Sequence, residues 1–320
     1  MNMRNSIIYL FSAVLLLAGC REKKAEQFQA LPFPDVAVPG LMEEQHDMAN
    51  YMAEHFWDKF TDPERNYPSD SVLVSGVRKQ EVEGKFANWV GLLDMVSPKT
   101  AEKSLNKLFD KAFSCEIKDT SSNVFETLTG FVEKYLYDPN SPYRNEELYL
   151  PYVRKLAKCE LIEEIVRSRY VREALMCSLN RPGTPATDFR FRNKYGKIRK
   201  LYNINAEWTL LFFSNPGCEA CMNIINVLKD NPVISGMVKD KKLAVVNVYI
   251  DEDVEAWRSY MPIYPEQWYN GYDPDMVIRN DLLYDVRAIP SLYLLDRKKN
   301  VIFKDAPEHK VFSYLESLSR

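Results

Sequence analysis

The sequence predicts two folded parts in series: an all-helical domain, then an α/β domain whose central mixed sheet is flanked by helices. Three features carry that expectation. From Leu41 to Asn180 apolar side chains recur at the spacing of one helix face, and from Arg181 onwards they gather into short continuous or alternating runs between turn residues. Between the two regimes, Arg181-Pro182-Gly183-Thr184-Pro185 sets two prolines around a glycine, a combination that ends a helix and opens a loop. With 320 residues, 46% of them apolar, the chain is long enough for two cores. It accordingly divides into residues 1–19, 20–40, 41–180 and 181–320.

Residues 1–19 read as a signal peptide. Arg4 precedes the apolar run Ile7 to Leu17, which is too short to cross a hydrocarbon layer of about 30 Å, and the charged residues Arg21, Glu22, Lys23 and Lys24 follow. The ending Leu17-Ala18-Gly19-Cys20 resembles the bacterial lipobox, which implies cleavage before Cys20 and acyl chains on that cysteine. Residues 20–40, polar and then rich in proline, are expected to form a mobile tether.

In the helical domain, Met48, Tyr51, Met52, Phe56 and Phe60 form one stripe, and Phe86, Trp89, Val90 and Leu93 form a second. Ser97-Pro98 is a cap and first-turn pair for a third, Leu105, Leu108, Phe109, Ala112 and Phe113. Val124, Leu128, Phe131, Val132 and Tyr135 make a fourth. The turn Tyr137-Asp138-Pro139-Asn140-Ser141-Pro142-Tyr143 then separates it from a last helical stretch through Leu161 to Cys177. Stripes at this spacing are read as core rather than as a peptide-binding groove. His46 and His55 stand nine residues apart and His309 is isolated, so no metal site is expected.

The α/β domain follows in order. Phe189 and Phe191 alternate with charged residues, Tyr195-Gly196-Lys197 turns the chain, and Ile198 to Leu201 completes a hairpin. Trp208 to Phe213 is a continuous apolar run suited to a buried strand, as is Leu243 to Ile250. Glu219 to Leu228, between them, is helical. Ser291 to Leu295 and Val301 to Phe303 flank the turn Asp296-Arg297-Lys298-Lys299-Asn300, and Val311 to Leu318 closes the chain as a helix.

Three groups of residues now point to chemistry. They are Pro185-Ala186-Thr187-Asp188-Phe189, the strand Leu210-Leu211-Phe212-Phe213 leading into Cys218-Glu219-Ala220-Cys221, and Ala288-Ile289-Pro290-Ser291 before Leu292-Tyr293-Leu294-Leu295-Asp296, about seventy residues after the CxxC. On these residues the segment from about Thr184 to Ser319 resembles the thioredoxin-like proteins of the TlpA and ResA type. The resemblance implies exchange of thiols and disulfides without a cofactor. Cys218, at a helix N-terminus where unpaired amides and the helix dipole favour a thiolate, is the expected nucleophile, and Cys221, nearly one turn on, the resolving cysteine. Pro290 matches the family's cis-proline, with the backbone of Ile289 placed to pair with an extended substrate, and Gly217 is a further substrate contact. A structural zinc knuckle or a structural disulfide is the competing reading of the CxxC, but zinc needs about four ligands and no second CxxC or His pair exists.

This chain departs from the family in having Gly217 where Trp is usual and Ala220 where Pro is usual, which leaves redox direction and potential open. Glu219 places a negative charge near the thiolate and should raise the cysteine pKa. The aromatic segment between Ile250 and Val286 reads either as a lid or wall touching substrate through Trp257 and Trp268, or as packing over the sheet. Cys115, Cys159 and Cys177 are an odd number, so at least one has no partner among them; buried thiols and a Cys159–Cys177 staple both fit. The net charge of −3, with no basic stripe, argues against nucleic acid as a partner.

The whole arrangement looks like a group of bacterial lipoproteins whose helical half has no assigned function. It implies a lipid-anchored thiol-disulfide oxidoreductase of the cell envelope, facing the periplasm or outer surface, that reduces protein disulfides and draws on an upstream thiol electron donor. The alternative is a non-catalytic adaptor that binds a partner through the helical domain.

Overall fold

The computed structural model describes residues 29–40, 42, 44–65, 67 and 70–318. The stretch read as a signal peptide, Cys20 and the first part of the expected tether therefore lie outside the described residues. The helical half contains α1 (Gln45–His55), a hairpin of β1 (Leu73–Val74) and β2 (Val77–Arg78), α2 (Lys79–Leu93), α3 (Pro98–Lys118), α4 (Val124–Val132), a π-helical turn at Glu133–Tyr137, α5 (Glu146–Leu156) and α6 (Glu164–Cys177). Helix α3 starts as its sequence requires: the Ser97 hydroxyl accepts the Thr100 amide at 3.1 Å, and Pro98 occupies the first turn. Asn145 caps α5 in the same way through Leu148. Among the described residues no helix is long and apolar enough to cross a membrane.

Three expectations change in this half. Helix α1 stops at His55, so its buried face is Ala53 rather than Met48, Tyr51 and Met52, and the chain turns before Trp57 and Phe60 enter the core. The β1–β2 hairpin, only two residues a side, is too short to leave an alternating signal; Ser75 and Gly76 both take positive φ, as a tight hairpin turn demands. This hairpin also captures the stretch read as tether. Leu31 bridges Val77, its amide donating to the Gly76 carbonyl at 2.8 Å, and the Phe33 amide donates to Glu81 at 2.8 Å. The Phe33 ring stacks on Phe60 at 5.1 Å and meets Trp57 edge-on at 5.5 Å. An aromatic ring buried this well offsets the lost freedom of a few residues of chain.

The second half is built on a seven-stranded mixed sheet. Its strands are β3 (Arg190–Asn193), β4 (Ile198–Lys200), β5 (Trp208–Phe213), β6 (Leu243–Tyr249), β7 (Tyr269–Tyr272), β8 (Ser291–Leu295) and β9 (Val301–Phe303), in the order β4-β3-β7-β6-β5-β8-β9. Strands β5, β6 and β7 run parallel, and the outer pairs are antiparallel. Alternation along β5 feeds two cores. Leu210 and Phe212 pack with α7 (Glu219–Asp230), α8 (Pro232–Lys239) and, across β8, α11 (Glu308–Ser317). Leu211 and Phe213 face Phe189, Phe191, Tyr284 and the short helix α10 (Val277–Asn280).

The aromatic segment after Ile250 is itself a crossover, through α9 (Val254–Tyr260) into β7, a strand the sequence reading does not anticipate. Its Gly271 is obligatory, because a Cβ there would run into the Phe191 ring and sit 2.9 Å from the Arg192 carbonyl oxygen. At the other side of the sheet the linker between the halves covers β9: the Gly183 amide donates to Val301, and Val301 in turn donates to Thr184. Phe33→Ala should lower the unfolding free energy by about 3 kcal/mol, measured by denaturant titration; an unchanged midpoint would mean that Phe33 does not belong to the core.

Candidate active site at the Cys218–Cys221 disulfide

Strand β5 ends at Phe213, and the turn Ser214 to Gly217 leads directly into α7. The Asn215 carbonyl accepts the Cys218 amide at 3.3 Å, while the Asn215 side chain donates to Asp251 at 2.6 Å and so fastens the turn to the end of β6. Gly217 is exposed at φ +73, a left-handed conformation that L side chains rarely adopt, and its exposure leaves the approach to Cys218 open. Cys218 is the N-cap of α7 and its sulfur accepts the Cys221 amide at 3.1 Å. The two cysteines form a disulfide, with Cys218 half-buried and Cys221 1% exposed. Of the two sulfurs, only Cys218 combines access with the favourable end of the helix dipole.

Register brings the second wall to the same edge. Phe213 pairs with Ser291, so Pro290 lies level with Ser214, and the Ile289–Pro290 peptide bond is cis. Ile289 packs against the same apolar cluster as Cys218 and Cys221. Under the turn a buried polar chain ties three strands together: the Ser214 hydroxyl donates to Asn247 at 2.5 Å, Asn247 to Asn270 at 3.1 Å, and Asn270 to the Pro265 carbonyl at 2.8 Å.

Trp257 and Trp268 do not form an exposed wall. Both are buried in that apolar cluster, Trp257 completely and against Tyr272, so the packing reading holds for them. Cys115, Cys159 and Cys177 are free and buried. A Cys159–Cys177 staple is not formed, since both thiols are free. No metal-binding group of His, Cys, Asp or Glu occurs among the described residues.

Behind Pro290 lies a network that sequence reasoning did not reach. Arg287 donates to the Tyr137 carbonyl, to Glu146 at 2.8 Å and to Asp305 at 3.2 Å. Lys304 pairs with Glu146 at 2.7 Å and donates to the Met176 and Cys177 carbonyls at 2.8 and 3.1 Å. Arg144 grips the Asp305 and Ala306 carbonyls at 2.7 and 3.0 Å, and Asp305 accepts the Ser291 hydroxyl at 2.7 Å. Burial opposes the charge on Arg287, but the Glu146, Asp305 and Asp285 carboxylates outweigh it and raise its pKa. Asp285, 3.6 Å from Arg287, is pushed up to about 6, first by burial and then by repulsion from Glu146. Beside this network is a cavity of about 450 Å³ walled by Tyr137, Arg169 and Arg172 from the helical half and by Arg279, Asp285 and Arg287 from the other. Isolated charges in loops read as solvated; the one available signal was the position of Asp285 and Arg287 just before Ile289-Pro290.

A CxxC disulfide at a strand-to-helix junction, faced by a cis-proline and carried behind a helical domain, defines a thioredoxin-like protein of two parts. Residues 18–180 match the family described as a domain of unknown function, DUF5106. A thioredoxin-like protein from Bacteroides caccae is 35% identical, with 90% of this chain and 99% of that one covered at a TM-score of 0.80. The C-terminal domain of an uncharacterized protein from Bacteroides fragilis is 47% identical over 43% of this chain and 98% of its own, TM-score 0.42. A conserved protein of unknown function from Bacteroides fragilis is 33% identical over 42% and 98%, TM-score 0.41. No curated protein matches. The chain belongs to the DUF5106 family and to the thioredoxin-like proteins that the Bacteroides caccae structure represents.

The raised pKa of Asp285 has a defined sign. The native state holds this proton more tightly than the unfolded chain, so its contribution to stability is greatest below about pH 4 and is lost as pH rises to about 6. Relative to Asp285→Asn, the wild type should lose about 2–3 kcal/mol across that window, followed by denaturant titration at each pH. A constant difference between the two proteins would contradict the assignment.

Proposed function

We propose that the protein is a thiol-disulfide oxidoreductase that reduces protein disulfides in the cell envelope, held at the membrane by a lipid on Cys20. The observation that carries the reading is the placement of Cys218 at the open N-terminus of α7, level with the cis Ile289–Pro290 bond. In the reduced protein the Cys218 thiolate attacks one sulfur of a client disulfide, which forms a mixed disulfide and expels the other client sulfur as a thiolate. The Cys221 thiolate then attacks Cys218, releasing the second client thiol and closing the disulfide present here. Two electrons pass from the dithiol to the client, and an upstream dithiol donor restores the pair. The Ile289 backbone, in the loop just before β8, offers hydrogen-bonding groups to an extended client segment. Gly217, without a side chain, leaves room for it.

The unequal roles of the sulfurs are testable. Cys221→Ser keeps the nucleophile and removes the internal resolving thiol, so mixed disulfides should accumulate as high-mass, reductant-sensitive bands on non-reducing gels, while Cys218→Ser traps far fewer. Equal trapping by both variants would erase the role assignment. No trapping by either, with both folded, would favour an adaptor that binds its partner through the helical domain. The tether has its own test: Cys20→Ser should move the protein from the membrane to the soluble fraction, and unchanged detergent partitioning would remove the lipid from the reading.

A further inference from the structure

One carboxylate of the helical half stands among the charges beside the loop that carries Pro290. Glu146, the first residue of α5, is buried with a side-chain exposure of 4%, and it is shared by Arg287 and Lys304, both from the other half. Arg287 stands three residues before Pro290. Lys304 and Asp305 follow β9, and Asp305 holds Ser291, the residue immediately after Pro290, by its hydroxyl. Arg144, just before α5, fixes the backbone of Asp305 and Ala306 from the helical side. Both flanks of the cis bond are thus referenced to α5 rather than to the sheet alone.

We propose that Glu146 is a positioning residue for client binding: by holding Arg287 and Lys304 it sets the Ile289–Pro290 peptide at the height where it meets a client beside Cys218. This rests on the redox reading for its kinetic consequence but not for its structural one. Without the Glu146 charge, Arg287 keeps Asp305 and the Tyr137 carbonyl while Lys304 keeps the Met176 and Cys177 carbonyls, so both cations settle towards those partners, and Arg287 takes with it the backbone three residues before Pro290. A second ion pair across the same junction, Lys310 with Asp94 at 3.1 Å, is half-exposed and shares no partner with Glu146, and serves as the control.

The experiment uses the full chain and compares Glu146→Gln with Asp94→Asn. In the oxidised protein, amide hydrogen exchange at residues 287–292 should quicken about tenfold in Glu146→Gln and stay at the wild-type rate in Asp94→Asn. With a disulfide-bonded peptide as client, KM should rise about three- to tenfold in Glu146→Gln, kcat changing less than about twofold, because binding geometry rather than the attacking sulfur is altered. Wild-type exchange at 287–292 in Glu146→Gln, or equal loosening in both variants, would reduce Glu146 to interface glue and overturn the proposal. A wild type that reduces no disulfide would sink the redox reading, and the exchange measurement would still decide the positioning claim. Should Glu146→Gln fail to fold, Arg287→Lys is read by the same two measurements, since it keeps the charge but loses the fork that reaches Glu146, Asp305 and the Tyr137 carbonyl.

Discussion

The shared burial of Arg287 and Lys304 against Glu146 is the constraint to which the rest of the structure answers. Two buried cations need carboxylates in fixed places, and removing one partner of such a group costs up to about 3–5 kcal/mol because part of the charge loses its compensation. Here the cations come from the α/β half and the shared carboxylate from the helical half. The halves therefore cannot part without exposing the defect. The same requirement explains why the turn from Tyr137 to Tyr143 sits where it does: its first carbonyl is an acceptor for Arg287, and the Arg144 that follows it reaches Asp305 and Ala306.

The redox pair depends on a different kind of constraint, one of register. Parallel pairing of β5 with β6 and antiparallel pairing with β8 bring three chain segments to one end of the sheet: the turn before Cys218, Asp251 after β6, and Pro290 before β8. Apolar alternation on β5 fixes which face each side chain takes, and a slip by one residue would turn Leu210 and Phe212 away from α7. The chemistry is placed by packing, and the polar chain from Ser214 through Asn247 to Asn270 holds the backbone there.

Much of this was legible in the residues. The runs Trp208 to Phe213 and Leu243 to Ile250 are buried strands, and Cys218, Cys221, Ile289 and Pro290 converge. What escaped did so for physical reasons. Strand β7 is four residues, Tyr-Asn-Gly-Tyr, with a glycine and an asparagine in its interior; its glycine is demanded by Phe191, a contact no local pattern records. Trp257 and Trp268 lie among prolines and charges that suggest a surface, yet their area is large enough to draw them inside. Phe33 sits in a proline-rich stretch whose composition implies freedom, while one ring decides its fate. Glu146, Arg287 and Lys304 are far apart in sequence, and each alone is an ordinary surface charge.

The linker at Arg181 to Pro185 has a second occupation. By exchanging backbone hydrogen bonds with Val301 it covers the start of β9 on one flank of the sheet, whereas the opposite flank, β4, shows Ile198 and Arg199 to solvent. A segment pinned in that manner cannot serve as a hinge. Anyone excising the redox half for separate study should cut upstream of Gly183, since a later cut would strip that cover and leave a bare strand ready to recruit a neighbouring molecule.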